Sequence, residues 1–148
     1  MTVTNYPNGV SSFGMPLIGT TTGSVFFVHS SGSNGNSGTD ADHPFADIDY
    51  AVGRCTADKG DIIFVMPGHT ETLTAAAAID LDVAGISVIG LGNGRSRPTI
   101  SVSTSTGVDI DVDADDVKVE NIVFDLTGVD AVAAFFDVNA ADFNLKNC

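Results

Sequence analysis

Ile110-Asp111-Val112-Asp113-Ala114-Asp115-Asp116-Val117 and Phe136-Asp137-Val138-Asn139-Ala140-Ala141-Asp142-Phe143 align without a gap. Both alternate apolar and polar residues, pass through a short polar turn, and enter a second alternating run. Period two marks a strand with one buried face. Working outward, three second runs align: Gly85-Ile86-Ser87-Val88-Ile89-Gly90, Asp116-Val117-Lys118-Val119-Glu120-Asn121 and Asp142-Phe143-Asn144-Leu145-Lys146-Asn147. Asp61-Ile62-Ile63-Phe64-Val65-Met66 fits the same template, so Ile62, Ile86, Val117 and Phe143 recur at intervals of about 24, 31 and 26 residues. Leu81-Asp82-Val83-Ala84-Gly85-Ile86 reads as the same unit with a turn two residues shorter.

A strand–turn–strand unit cannot bury its apolar face alone, whereas stacked copies share one continuous core. The repeat therefore predicts an all-β chain, a right-handed parallel β-helix of about four coils. Repeats of helices are excluded, because the period inside each unit is two. Asn121 and Asn147 hold one repeat position on the inward side of a turn. They are either ordinary turn asparagines or a structural ladder, hydrogen-bonded from coil to coil.

The 148 residues, 43% of them hydrophobic, suffice for one domain with a sizeable core. A formal charge of −13 disfavours phosphate backbones and anionic membranes, so neither nucleic acid nor membrane is expected as a partner. The opening Met1-Thr2-Val3-Thr4-Asn5 lacks the basic end and apolar run of a secretory signal. No run approaches the ~20 apolar residues that a membrane span needs. The two cysteines, Cys55 and Cys148, are not in metal-ligand spacing, and Cys55 lies on an apolar stripe as a small core residue.

A stack of strands leaves raw edges that need covering. Residues 43–56 predict an amphipathic capping helix: Asp42 as cap, Pro44 in the first turn, and Phe45, Ile48, Val52 and Cys55 on one face. Val25-Phe26-Phe27-Val28 reads as a strand leading into it, and Ser30 to Asp40 as a loop. The far end has no such cover in the sequence, which calls for either further chain or another subunit. Phe135 and Phe136 are adjacent, so alternation turns Phe135 outward as a subunit-interface residue unless a bulge buries both. Residues 1–24 mix turn residues with isolated bulky groups. They predict an extended anchoring arm whose Tyr6, Pro7, Phe13, Met15, Leu17 and Ile18 bind a partner. Residues 25–148 form the β-helix domain.

Gly60-Asp61-Ile62-Ile63-Phe64-Val65-Met66-Pro67-Gly68-His69-Thr70-Glu71-Thr72-Leu73 resembles the first coil of pectin-lyase-like β-helix proteins, and Ile86 to Gly92 and Val119 to Phe124 resemble later coils. That resemblance implies the fold over residues 25–148 and leaves activity open, since the fold hosts lyases, hydrolases and non-catalytic spikes. The opening Asn5-Tyr6-Pro7-Asn8-Gly9-Val10-Ser11-Ser12-Phe13-Gly14 resembles the start of tailed-bacteriophage structural proteins. This implies a virion protein on the capsid exterior, held by its arm to the major capsid protein or another virion protein. It further implies a homotrimer.

Enzyme chemistry is weighed against this. Asp109, Asp111, Asp113, Asp115 and Asp116, with Asp82 and Asp137, look like a calcium ladder. Yet Asp109, Asp111 and Asp113 alternate with apolar residues, which places them on a solvent face. A lyase base is missing: Arg95 and Arg97 lie in a separate turn, and Lys118 pairs equally well with Asp116 or Glu120. His29, His43 and His69 lack HxH or HExxH spacing, and no nucleophile or phosphate-loop motif occurs in the required context. The expectation is a non-enzymatic capsid decoration protein with no cofactor, metal or catalytic residue. The alternatives are the N-terminal part of a tail spike or polysaccharide-processing β-helix protein, or a surface adhesin.

Overall fold

Left-handed backbone recurs at one place in the computed structural model of this chain: φ is +71° at Gly60, +73° at Gly85, and +57° at both Asp116 and Asp142. Glycine and the short polar residues tolerate this region, and each of these positions turns the chain into a strand. The structure describes residues 23–102, 107–127, 129 and 134–148, together with the backbone of residues 11–12 and 15–16.

In chain order the strands are β1 (Ser11–Ser12), β2 (Met15–Pro16), β3 (Val25–Val28), β4 (Ile62–Val65), β5 (Thr70–Leu73), β6 (Ile79–Leu81) and β7 (Ser87–Gly90). They continue with β8 (Thr99–Val102), β9 (Ile110–Val112), β10 (Lys118–Glu120), β11 (Val123–Asp125), β12 (Phe136–Val138) and β13 (Asn144–Lys146). β1 and β2 form an antiparallel pair. Every other pairing between these strands is parallel, in three sheets ordered β3-β4-β7-β10-β13, β5-β8-β11 and β6-β9-β12. The chain visits the three sheets in rotation, β4 to β6, β7 to β9 and β10 to β12, with β3 ahead and β13 behind. The described residues are mostly strands in parallel sheets with almost no helix, as in an all-β fold.

The core follows the register. Phe26, Ile63, Val88 and Val119 form one column in the first sheet, Leu81 and Val112 another in the third, and all are buried. Each such side chain contributes about 1.5–3 kcal/mol by leaving water. The same two columns continue to Leu145 and Val138, which are 45% and 43% exposed.

Two expectations of register are corrected. Ser87 pairs with Ile62, and its N–H donates to the Asp61 carbonyl at 3.0 Å, as Lys118 donates to Ile86 and Asn144 to Val117. The residue equivalent to Ile86 and Val117 is therefore Asp61, not Ile62. A one-residue slip exchanges faces: Ile63 and Val65 point inward, while Ile62 and Phe64 face out and are half-buried. Asp61 is 2% exposed, and its carboxylate accepts the Ser24 N–H at 2.6 Å and the Thr56 N–H at 2.7 Å. Next, Ile79 pairs with Ile110 and Leu81 with Val112, so the turn before Ile86 has the same length as its successors.

The capping helix is also shorter than expected. α1 spans Ile48–Val52. Pro44 and Phe45 are extended instead, because Phe45 donates to the Phe27 carbonyl at 2.9 Å and accepts from His29 at 2.9 Å, bridging β3 in parallel. The N-cap is Asp47 rather than Asp42, and its side chain makes no cap bond; it accepts from Asn34 at 2.7 Å. The buried face is nonetheless as read: Phe45, Ile48 and Val52 are buried and Cys55 packs against them, while α1 lies on β3, β4 and β6. The Phe45 ring fills the space where a Cβ on Gly38 would lie, and Gly38 has φ +68°, so this loop position takes only glycine.

Candidate functional site

The three sheets present three chemically different outer faces. Outside the third sheet, Asp80, Asp111 and Asp137 share one register position. Neighbouring strands lie ~4.8 Å apart, so these carboxylates stack on one another. Burial, then the charges of Asp82, Asp113, Asp111 and Asp49, raises the Asp80 carboxyl above its ordinary value. Burial, then Asp109, Asp113 and Asp137, does the same for Asp111. The row beside them is relieved at one point, where Asn139 donates to Asp113 at 3.0 Å. Among the described residues, no three His, Cys, Asp or Glu side chains are grouped so as to hold a metal ion.

This arrangement fixes a pH response. Because the folded-state values of Asp80 and Asp111 are raised, these two carboxyls hold protons in the folded chain that they release in the unfolded chain just above the usual carboxylate range. Their contribution to stability therefore falls as pH rises through that window. Asp111→Asn keeps the shape and removes the charge. It is expected to stabilise the chain at neutral pH by roughly 0.5 kcal/mol, with the gain shrinking in acid and in high salt. Thermal melts across pH check this; a neutral-pH loss of stability would contradict it.

The second sheet turns Thr70, Thr72, Thr99 and Ser101 outward, with the Thr72 and Ser101 hydroxyls 3.0 Å apart. Just before Thr70 lies His69, fully buried, whose carbonyl accepts the Thr99 N–H at 2.9 Å. Its Nε2 is 3.2 Å from Glu71 Oε2, which also accepts the Ile48 N–H at 3.3 Å. Glu71 thus fastens β5 to the start of α1. His69 Nδ1 has no hydrogen-bond partner, and the ring meets His29 edge-on at 6.4 Å.

The first sheet is different again. Val25, Ile62 and Ser87 share one outward register row, and Phe27, Phe64 and Ile89 the next, with the two phenylalanine rings 5.8 Å apart. These six are half-buried. Further along, the rows become charged. Glu120 meets Lys118 at 2.6 Å and Lys146 at 3.2 Å, and these two bonds, Lys118 first, hold its carboxyl below the usual range.

Asn121 and Asn147 sit at equivalent positions in left-handed backbone, φ +61° and +54°. The Asn121 amide donates to the carbonyls of Gly90 at 2.7 Å and Gly92 at 3.1 Å, in the preceding circuit. The Asn121 carbonyl occupies the space of a Gly90 Cβ. Asn147 is tied through its carbonyl, which accepts from Arg97. Arg97 also donates to the Ile122 carbonyl at 3.1 Å, so it clips successive turns together.

Phe135 and Phe136 take the second of the two expected arrangements, in which both pack inward. Phe135 is half-buried, with its ring 5.5 Å from Phe124 and 5.3 Å from Phe136. Strand alternation begins only at Phe136, and the bend before it folds Phe135 back into this cluster. Cys55 is half-buried, and burial, then the Asp61 charge, pushes its thiol up to about 12, which suits packing and not nucleophilic chemistry. Asp40 accepts from His43 at 2.9 Å within the loop, and that bond lowers its carboxyl. Tyr6, Pro7, Phe13, Leu17 and Ile18, and the side chain of Met15, lie outside the described residues.

Sequence reasoning missed Asp61, His69 and Arg97. An Asp followed directly by five apolar residues, Ile62 to Met66, was the available signal for the first; the other two carry none in spacing alone. Among the described residues no helix is long and apolar enough to cross a membrane. No protein-family model matches this chain, and no curated protein or solved structure is significantly similar to it.

Proposed function

We propose that this chain is a non-enzymatic structural protein of a tailed-phage virion. In this reading it is a capsid decoration protein, held to the major capsid protein or another virion protein through residues 1–24. The supporting observation is the union of two unlike parts. One is a set of in-register parallel sheets; the other is a preceding segment whose Tyr6, Pro7 and Phe13 resemble the start of phage structural proteins. The set is read as a right-handed parallel β-helix, because connections between parallel strands of one sheet are right-handed in about 98% of cases. It is read as a homotrimer on the capsid exterior, since closed symmetry is the common way to bury side faces.

Co-sedimentation with undecorated capsids tests this, using the 148-residue chain and a chain lacking residues 1–24. Saturable binding that vanishes with the segment is expected. Failure of the intact chain to bind contradicts the reading. A second reading, the N-terminal part of a tail spike or polysaccharide-processing protein, is favoured by Leu145 and Val138. They are exposed in columns that are buried in every earlier circuit, where a further circuit would cover them.

A further inference from the structure

We propose that the outer face of the first sheet, centred on Phe27, Phe64 and Ile89, is the surface through which copies of this chain associate. The inference rests on the self-association part of the reading above and assigns it a face.

Two observations carry it. First, alternation leaves Val25, Phe27, Ile62, Phe64 and Ile89 directed outward, although a solvated strand face is ordinarily polar. Contiguous outward apolar groups of this kind mark interaction surfaces. Second, the charge of the molecule selects the partner. Each copy carries −13, so two copies repel wherever carboxylates face one another. The third sheet stacks Asp80, Asp111 and Asp137 outward and forbids such an approach. On the first sheet, the outward positions of β3, β4 and β7 carry no charge. The one carboxylate beyond them, Glu120, is already neutralised by Lys118 and Lys146. A basic partner would be drawn to the aspartate face. A second copy of this acidic chain finds on the first sheet a face free of uncompensated carboxylate.

Sedimentation velocity of the 148-residue chain over micromolar concentrations tests the assignment. Phe64→Glu and Ser87→Glu place a carboxylate within the face. Ser87→Glu removes no core side chain, and circular dichroism reports folding of both. Thr72→Glu on the second sheet and Leu145→Asp at the open end serve as controls. The wild-type chain is expected to associate, with Phe64→Glu and Ser87→Glu weakening association by about 100-fold while remaining folded, and both controls leaving it intact. A wild-type chain that stays monomeric contradicts both the face and self-association. Association that survives Ser87→Glu, or that is lost in Thr72→Glu or Leu145→Asp, overturns the face alone.

Discussion

Replacing Asp61 with alanine is expected to destabilise the chain by about 3 kcal/mol, because two backbone donors lose the buried carboxylate that accepts from both. The Ser24 N–H at 2.6 Å lies at the start of β3, and the Thr56 N–H at 2.7 Å follows the helix. One carboxylate therefore pins three segments at the first circuit. Its repeat equivalents, Ile86 and Val117, are fully buried and apolar. Asp61→Ile, which restores the apolar pattern of the repeat, is expected to cost at least as much as alanine, since it leaves both donors unpaired and adds bulk. Asp61→Asn keeps one acceptor oxygen and is expected to fall between wild type and alanine. Urea denaturation of the four proteins checks the order; an isoleucine variant as stable as wild type would sink this account of the site.

A carboxylate placed at Val119 is expected to abolish folding at ordinary temperature, a cost of about 4 kcal/mol or more, because an unpaired charge would be held inside the core. The same change at Leu145 is expected to cost less than about 1 kcal/mol. The two residues are register partners on adjacent strands, and chemistry and backbone are alike. They differ in exposure, 4% against 45%. Comparing yield and melting temperature of Val119→Asp and Leu145→Asp measures how far the described stack extends its core. Equal damage at both positions would mean that Leu145 is buried in solution by something further.

The repeat was legible because its signal is local and periodic. Ile110–Val117 and Phe136–Phe143 stack as their gapless alignment requires, and Ile86, Val117 and Phe143 fall in one column. The first circuit misled because a buried charge breaks the pattern that reveals burial. With Ile62 set against Ile86 and Val117, the template slid by one residue and turned Ile62 and Phe64 inward. That slip also hid the apolar outer face. At Leu81 the error was different: Ile79 follows four alanines, so its alternation with Asp80 and Leu81 was masked by a uniformly small run.

At α1, the apolar spacing of Phe45, Ile48 and Val52 was a true guide to what is buried but not to backbone shape. A parallel bridge to Val28 satisfies Phe45 as well as a helical turn would. The aspartate face was visible as alternation, whereas its stacking needed the register of β6, β9 and β12. Arg97 depends on carbonyls supplied from later in the chain, and His69, though its Nε2 meets Glu71 only two residues away, meets the remote His29 edge-on, so spacing alone marks neither.

The register itself is the claim on which the faces, the Asp61 site and the open columns all depend. Scalar coupling across hydrogen bonds, measured by NMR on the isotope-labelled chain, reports which carbonyl each amide meets. The predicted couplings run from the Ser87 amide to the Asp61 carbonyl, from Lys118 to Ile86 and from Asn144 to Val117. Coupling from Ser87 to Ile62 instead, or none between these strands, would contradict the account.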